Sequence, residues 1–143
     1  MDVSKQFADH YRRLVDRWSA GGRDSGSFTE YEQETIALYS FNSNYGADGL
    51  PAYFAWDGLA MLDLTLRALK RIGADRLETI VREYAELLRR HGFEPEEHDI
   101  YDFINDCPTD AQAEFDARQT EAAALYGDFY NRWEQDFADR QAR

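Results

Sequence analysis

Residues 51–72 read PAYFAWDGLAMLDLTLRALKRI. Pro51 suits the first turn of a helix, where its missing N–H has no intrahelical partner to lose. Tyr53, Phe54, Trp56, Leu59, Met61, Leu62, Leu64, Leu66 and Leu69 then occupy most of the circumference of a 3.6-residue repeat. A helix that is apolar nearly all round is buried on several sides. The stretch therefore predicts one helix over about 51–72 at the centre of an all-α fold.

The segments on either side are also helical in pattern. Upstream, Asn44 to Leu50 (NYGADGL) is turn chemistry, because Gly46 and Gly49 accept positive φ and Asn44 and Asp48 bond nearby backbone. Before it, Thr29 followed by Glu32 is a capping-box pair that opens a helix carrying Tyr31, Leu38 and Phe41. Residues 21–28 (GGRDSGSF) read as a loop. The first helix, Val3 to Ala20, places Phe7, Tyr11, Leu14 and Trp18 at spacings of three and four, and stops at Gly21-Gly22.

Downstream, Asp75 and Glu78 form a second capping pair, for a helix with Leu77, Ile80, Val81, Tyr84, Leu87 and Leu88 that ends at Gly92. Glu96 to Ile104 reads as a short acidic helix. Pro108-Thr109, with Gln112 three beyond the threonine, caps a last helix running to about Arg140. Its apolar stripe is Phe115, Ala122, Tyr126, Phe129, Trp133 and Phe137. Asp110, Glu114, Glu121 and Asp128 form a second stripe, roughly 125° away at about 100° per residue. The expectation is a single all-α domain over 1–143, a bundle of about six helices.

Composition sets the classes of partner. The 143 residues are 43% hydrophobic and 15% aromatic, enough for a packed core. The net charge of −12 argues against direct binding to nucleic acid or an anionic membrane, both polyanions. No run approaches the length of an apolar membrane span, and the polar start MDVSKQFADHYRR is unlike a signal peptide. Cys107, the single cysteine, cannot form an internal disulfide, which is consistent with a cytoplasmic protein.

The acids are segregated. Between Arg23 and Arg67 lie Asp24, Glu30, Glu32, Glu34, Asp48, Asp57 and Asp63, with no Lys or Arg. Between Arg90 and Arg118 lie Glu94, Glu96, Glu97, Asp99, Asp102, Asp106, Asp110, Glu114 and Asp116, again with no Lys or Arg. A surface selected only for solubility intersperses its signs. The blocks therefore favour a basic macromolecular partner.

Catalytic and metal patterns are sparse. His10, His91 and His98 belong to no HExxH motif, and no Cys-His spacing suits zinc. The best metal candidate is Glu94, Glu96, Glu97, His98 and Asp102, against the plainer reading of a solvated acidic segment. Cys107 lacks an adjacent base in sequence and precedes Pro108, so it reads as a helix-junction thiol rather than a nucleophile. The glycines at 46–49 have no following Lys, and Asp48 and Asp57 would repel phosphate. Most aromatics sit at core spacing, with Trp56, Tyr101 and Tyr130 left as candidates for an interface. The reading is a non-enzymatic protein with no cofactor.

Gly49, Leu50, Tyr53 and Phe54, followed by Ala68-Leu69 and Ile72-Gly73-Ala74, carry a resemblance to the bacterial DNA-mimic protein family of small acidic helical proteins, many described only as a domain of unknown function. That family's turn is Asn-Gly-Gly-Phe followed by Gln and two aromatics. Here Ala47-Asp48 replaces Asn-Gly, Ala52 replaces Gln and Trp56 replaces a polar residue. Phe115 to Trp133 is similar to the family's closing acidic-aromatic helix. The resemblance implies a dimeric protein whose carboxylates imitate DNA phosphates and occupy the basic surface of a DNA-binding protein, a transcription regulator or a nucleoid-type protein. Glu94, Glu96, Glu97, Asp99, Asp102, Asp106, Asp110, Glu114, Glu121 and Asp128 are the candidate contacts. An immunity protein or antitoxin that neutralises a basic toxin such as a nuclease is the alternative, motivated by the same charge.

Overall fold

The computed structural model describes residues 2–22, 26–55 and 59–142, and these form helices joined by short turns, with no strand among them. The helices are α1 (Val3–Ala20), α2 (Glu30–Ala55), α3 (Leu62–Arg71), α4 (Asp75–Arg90), α5 (Ile100–Asn105) and α6 (Thr109–Gln141). α4 and α6 pack along each other, α3 lies on α2, and α1 covers α2 and α6.

The expected single helix over 51–72 is a pair. α2 ends at Ala55, residues 59–61 form a turn, and α3 begins at Leu62. The apolar residues on either side then bury separately, with Tyr53 and Phe54 from α2 and Leu62, Ala68 and Leu69 from α3. Trp56, Asp57 and Gly58 lie outside the described residues.

The turn expected over Asn44 to Leu50 narrows to a kink. Helix continues to Ala47, and non-helical backbone is confined to Asp48 and Gly49 (φ 76°, ψ −157°), so the stretch from Leu50 is geometrically a further short helix with Pro51 in its first turn. Two contacts one turn apart keep the helix going up to the kink. Phe41 stacks on Tyr45 at 5.5 Å, and Asn44 donates to the Ser40 Oγ. At the kink, the Leu50 N–H donates to Gln119 Oε1 of α6 at 2.8 Å, which satisfies a backbone group that the break would orphan.

The ends of the other helices divide between confirmation and correction. Val3–Ala20 falls where the pattern placed it. Thr29 and Glu32 form the reciprocal box, with the Thr29 N–H donating to Glu32 Oε1 at 2.9 Å and the Glu32 N–H to Thr29 Oγ1 at 3.1 Å. Asp75 does not cap α4. Ala74 holds that position, and Asp75 and Glu78 sit in the first turn, where they complement the helix dipole. The chain is already folded back there, because Gly73 (φ 82°) closes α3 with its N–H on Lys70 O while the Ala74 N–H reaches Leu69 O.

The acidic helix starts at Ile100 rather than Glu96. Asp99 is its N-cap and accepts from the Tyr101 and Asp102 N–H groups, whereas residues 94–98 form a turn closed by bonds from the Glu97 and His98 N–H to Glu94 O. Thr109 likewise does not cap α6; Pro108 does. Gln112 instead donates from Nε2 to Asn105 O and Cys107 O, tying the end of α5 to α6.

Aromatic rings run through the core in one connected series. Phe7 meets Trp133 edge-on at 4.7 Å, Phe129 links Trp133 to Phe41, and Tyr53 and Phe54 carry the series to Tyr84 and Phe115. Tyr130, expected among the exposed aromatics, is half-buried against Phe7 and Trp133. Tyr101 remains 40% exposed.

Candidate partner-binding surface

The two acid-only blocks behave differently once folded. In the first, Glu32 pairs with Arg17 at 3.3 Å, Glu30 with Arg67 at 3.8 Å, and buried Glu34 with Arg67 and Arg71. α1 and α3 bring cations from elsewhere in the chain onto the acids of α2. Asp48 bonds the Tyr101 side chain instead, and exposed Asp63 lies in no ion pair among the described residues. Asp24 and Asp57 lie outside the described residues.

The second block keeps its charge. Among the described residues, none of Glu94, Glu96, Glu97, Asp99, Asp102, Asp106, Asp110, Glu114 and Asp116 lies in an ion pair with Lys or Arg. All are exposed except Glu114, which is half-buried. They are borne by the 94–98 turn, by α5 and by the first two turns of α6. Glu121 and Asp128, also expected on this surface, differ: Arg76 forms a two-bond pair with Glu121, and Arg132 donates to Asp128 at 2.7 Å.

Glu97, Asp99, Asp102 and Asp106 come together around one open groove of about 530 Å³, which His91, His98 and Phe103 also line. Asp102 and Asp106 are one helical turn apart, a rise of about 6 Å, and so are Asp110 and Glu114. Pro108 separates the two pairs onto α5 and α6. Asp99 is held by two backbone N–H groups at 3.0 Å, so its carboxylate is fixed in position. Tyr101 sits at the edge of this segment; burial raises its phenol pKa first, and its bond to Asp48 raises it further.

The metal candidate does not assemble. His98 Nδ1 accepts the Glu94 N–H at 2.9 Å, and no group of three or more His, Cys, Asp or Glu among the described residues is placed to hold a metal ion. Cys107 donates its thiol to Phe103 O, and burial, then Asp106, push its pKa up, which opposes thiolate formation.

The sequence motif around the kink is structural. Leu50, Tyr53, Phe54, Ile72 and Ala74 are all buried, while Gly49 and Gly73 supply the two positive-φ turns that place them. Gln119, which fastens the kink, had no signal in the sequence, since a glutamine within an amphipathic helix reads as a solvated position.

Fold and surface together define a small, acidic, all-α domain that carries unpaired carboxylates on one turn–helix–helix segment. Residues 26–141 match the family model of DMP19-like proteins, and the chain belongs to this family of DNA-mimic proteins. α1 lies before the matched segment. No curated protein and no solved structure matches the chain.

Proposed function

We propose that the carboxylates from Glu94 to Asp116 stand in for DNA phosphates and occupy the basic surface of a DNA-binding protein. The observation that carries this reading is the contrast between the two acidic blocks. Glu30, Glu32 and Glu34 are already neutralised by arginines of the same chain, whereas the nine later carboxylates project an uncompensated field. Their pairwise rise of about 6 Å per helical turn suits phosphates along a strand. Such a surface steers a basic partner into encounter, and its hold weakens as salt screens it.

The test is affinity for a DNA-binding protein captured by the full chain and then purified. A variant carrying Glu96→Gln, Glu97→Gln, Asp102→Asn and Asp106→Asn leaves the Asp99 cap intact. At about 100 mM salt it is expected to bind at least about tenfold more weakly and with a shallower salt dependence. Glu121→Gln, which removes a carboxylate already paired with Arg76, is expected to change affinity by about twofold or less. Excess duplex DNA releases the partner. Unchanged affinity in the four-site variant, or a partner that duplex DNA cannot displace, overturns the proposal. A captured basic toxin whose activity the chain blocks assigns the same surface to an immunity role instead.

A further inference from the structure

Beside the acidic groove lies a second concavity of about 400 Å³, between the end of α2 and the 93–97 turn. Its walls are Phe54, Leu59, Ala60, Phe93 and Pro95. Glu94, Glu96 and Glu97 stand on its rim, exposed and without basic partners among the described residues. Phe93 and Pro95 also line the next cleft, where Tyr101 projects, so the apolar strip continues towards α5. A surface that matched the phosphate backbone alone would have no use for an apolar hollow beside its carboxylates.

We infer that this hollow receives one aliphatic or aromatic side chain of the partner, flanked on its own chain by Lys or Arg. The inference rests on the proposed function and names how that partner is recognised. Charge complementarity fixes the occupant. An apolar side chain alone would leave the three glutamates without counter-charge, and a cation alone would leave the hollow wet. A basic segment with an apolar residue between its cations fits both. The anchor adds affinity that salt does not screen, whereas the carboxylates supply the part that salt removes. It also separates the protein partner from free basic peptides that carry charge only.

The experiment titrates the full chain with a synthetic helical peptide of about 15 residues, bearing one leucine between two Lys/Arg pairs, and with its Leu→Ala counterpart. Affinities are measured at about 50 and about 200 mM salt. The leucine peptide is expected to bind about tenfold more tightly at both salt concentrations. Ala60→Trp, which fills the hollow from an exposed position, is expected to reduce that advantage to about twofold or less while the salt dependence of both peptides persists. Leu59→Ser, which replaces an apolar wall without filling the space, is expected to do the same.

Equal affinity of the two peptides overturns the inference. So does an advantage that survives both substitutions, or failure of either peptide to bind at the lower salt. Failure of the underlying charge reading looks different. The leucine advantage then remains, but neither salt nor Glu96→Gln with Glu97→Gln weakens binding.

Discussion

Replacing Arg71 with methionine is expected to lower the stability of the fold by about 3 kcal/mol or more, measured by denaturant unfolding at neutral pH. The Glu34 side chain is only 5% exposed, and Arg71 Nε donates to it. The same guanidinium donates through Nη1 to both oxygens of Asp136, at 2.9 and 2.8 Å, and so joins α2, α3 and α6. Burial works against the arginine's charge, but the hydrogen bonds to Asp136 and Glu34 outweigh it and hold its pKa above the ordinary value. Methionine keeps the aliphatic stem and deletes the charge, leaving a carboxylate in the interior with Arg67 at 3.9 Å as its nearest cation. Against a typical total of about 5–15 kcal/mol, that loss is large.

Glu34→Gln, which removes the buried charge itself, is expected to cost less, about 1–2 kcal/mol. A loss below about 1 kcal/mol in Arg71→Met overturns the account.

Gly49→Ala is expected to be nearly as damaging, at about 2–4 kcal/mol and roughly 10 °C in melting temperature. Two causes add. The backbone at φ 76° and ψ −157° belongs to a region open to glycine and strained for any side chain, at about 1–3 kcal/mol. A Cβ there also falls 2.7 Å from Gln119 Cδ, so the glutamine must leave and its bond to the buried Leu50 N–H is lost, about 1 kcal/mol more. Gln119→Ala alone removes only the bond. The double variant Gly49→Ala with Gln119→Ala therefore recovers little over Gly49→Ala, because the backbone strain remains. A melting temperature unchanged by Gly49→Ala removes the kink from the account of the fold. Asp48, the other kink residue, bonds Tyr101, so a relaxed kink also disturbs the placement of α5.

Local signals were legible in the sequence and long-range ones were not. The ends of α1, the Thr29–Glu32 box and the core stripe of α6 depend on neighbours a few residues apart, and they stand where the pattern put them. The stretch 51–72 failed because a run of apolar residues looks the same whether one buried helix or two separate ones use it. Asp75 and Thr109 failed as caps because Gly73 and Pro108 turn the chain one residue earlier than the side-chain pattern suggested.

The acidic surface was half legible. Both blocks lack Lys and Arg in sequence, yet Arg17, Arg67 and Arg71 reach the first block from positions 15 to 37 residues away. Such pairing is decided by helix packing, which charge order along the chain does not contain. The second block escapes because the nearby cations of α4 go elsewhere, with Arg82 and Arg76 pairing with other carboxylates, Glu78 and Glu121. The Arg71 junction and the Gln119 fastening were invisible for the same reason.

The unpaired carboxylates also have a thermodynamic consequence for the chain that carries them. Nine like charges held along one turn–helix–helix segment repel one another, and the folded state bears that repulsion as long as the surface stands free. A basic surface that docks there acts as a macromolecular counterion: it removes the repulsion from the folded chain and has no such site on the unfolded one. Folding and occupancy are then linked equilibria. On the proposed function the domain is at its most stable when covered, and the tension in its free surface becomes part of the driving force for complex formation.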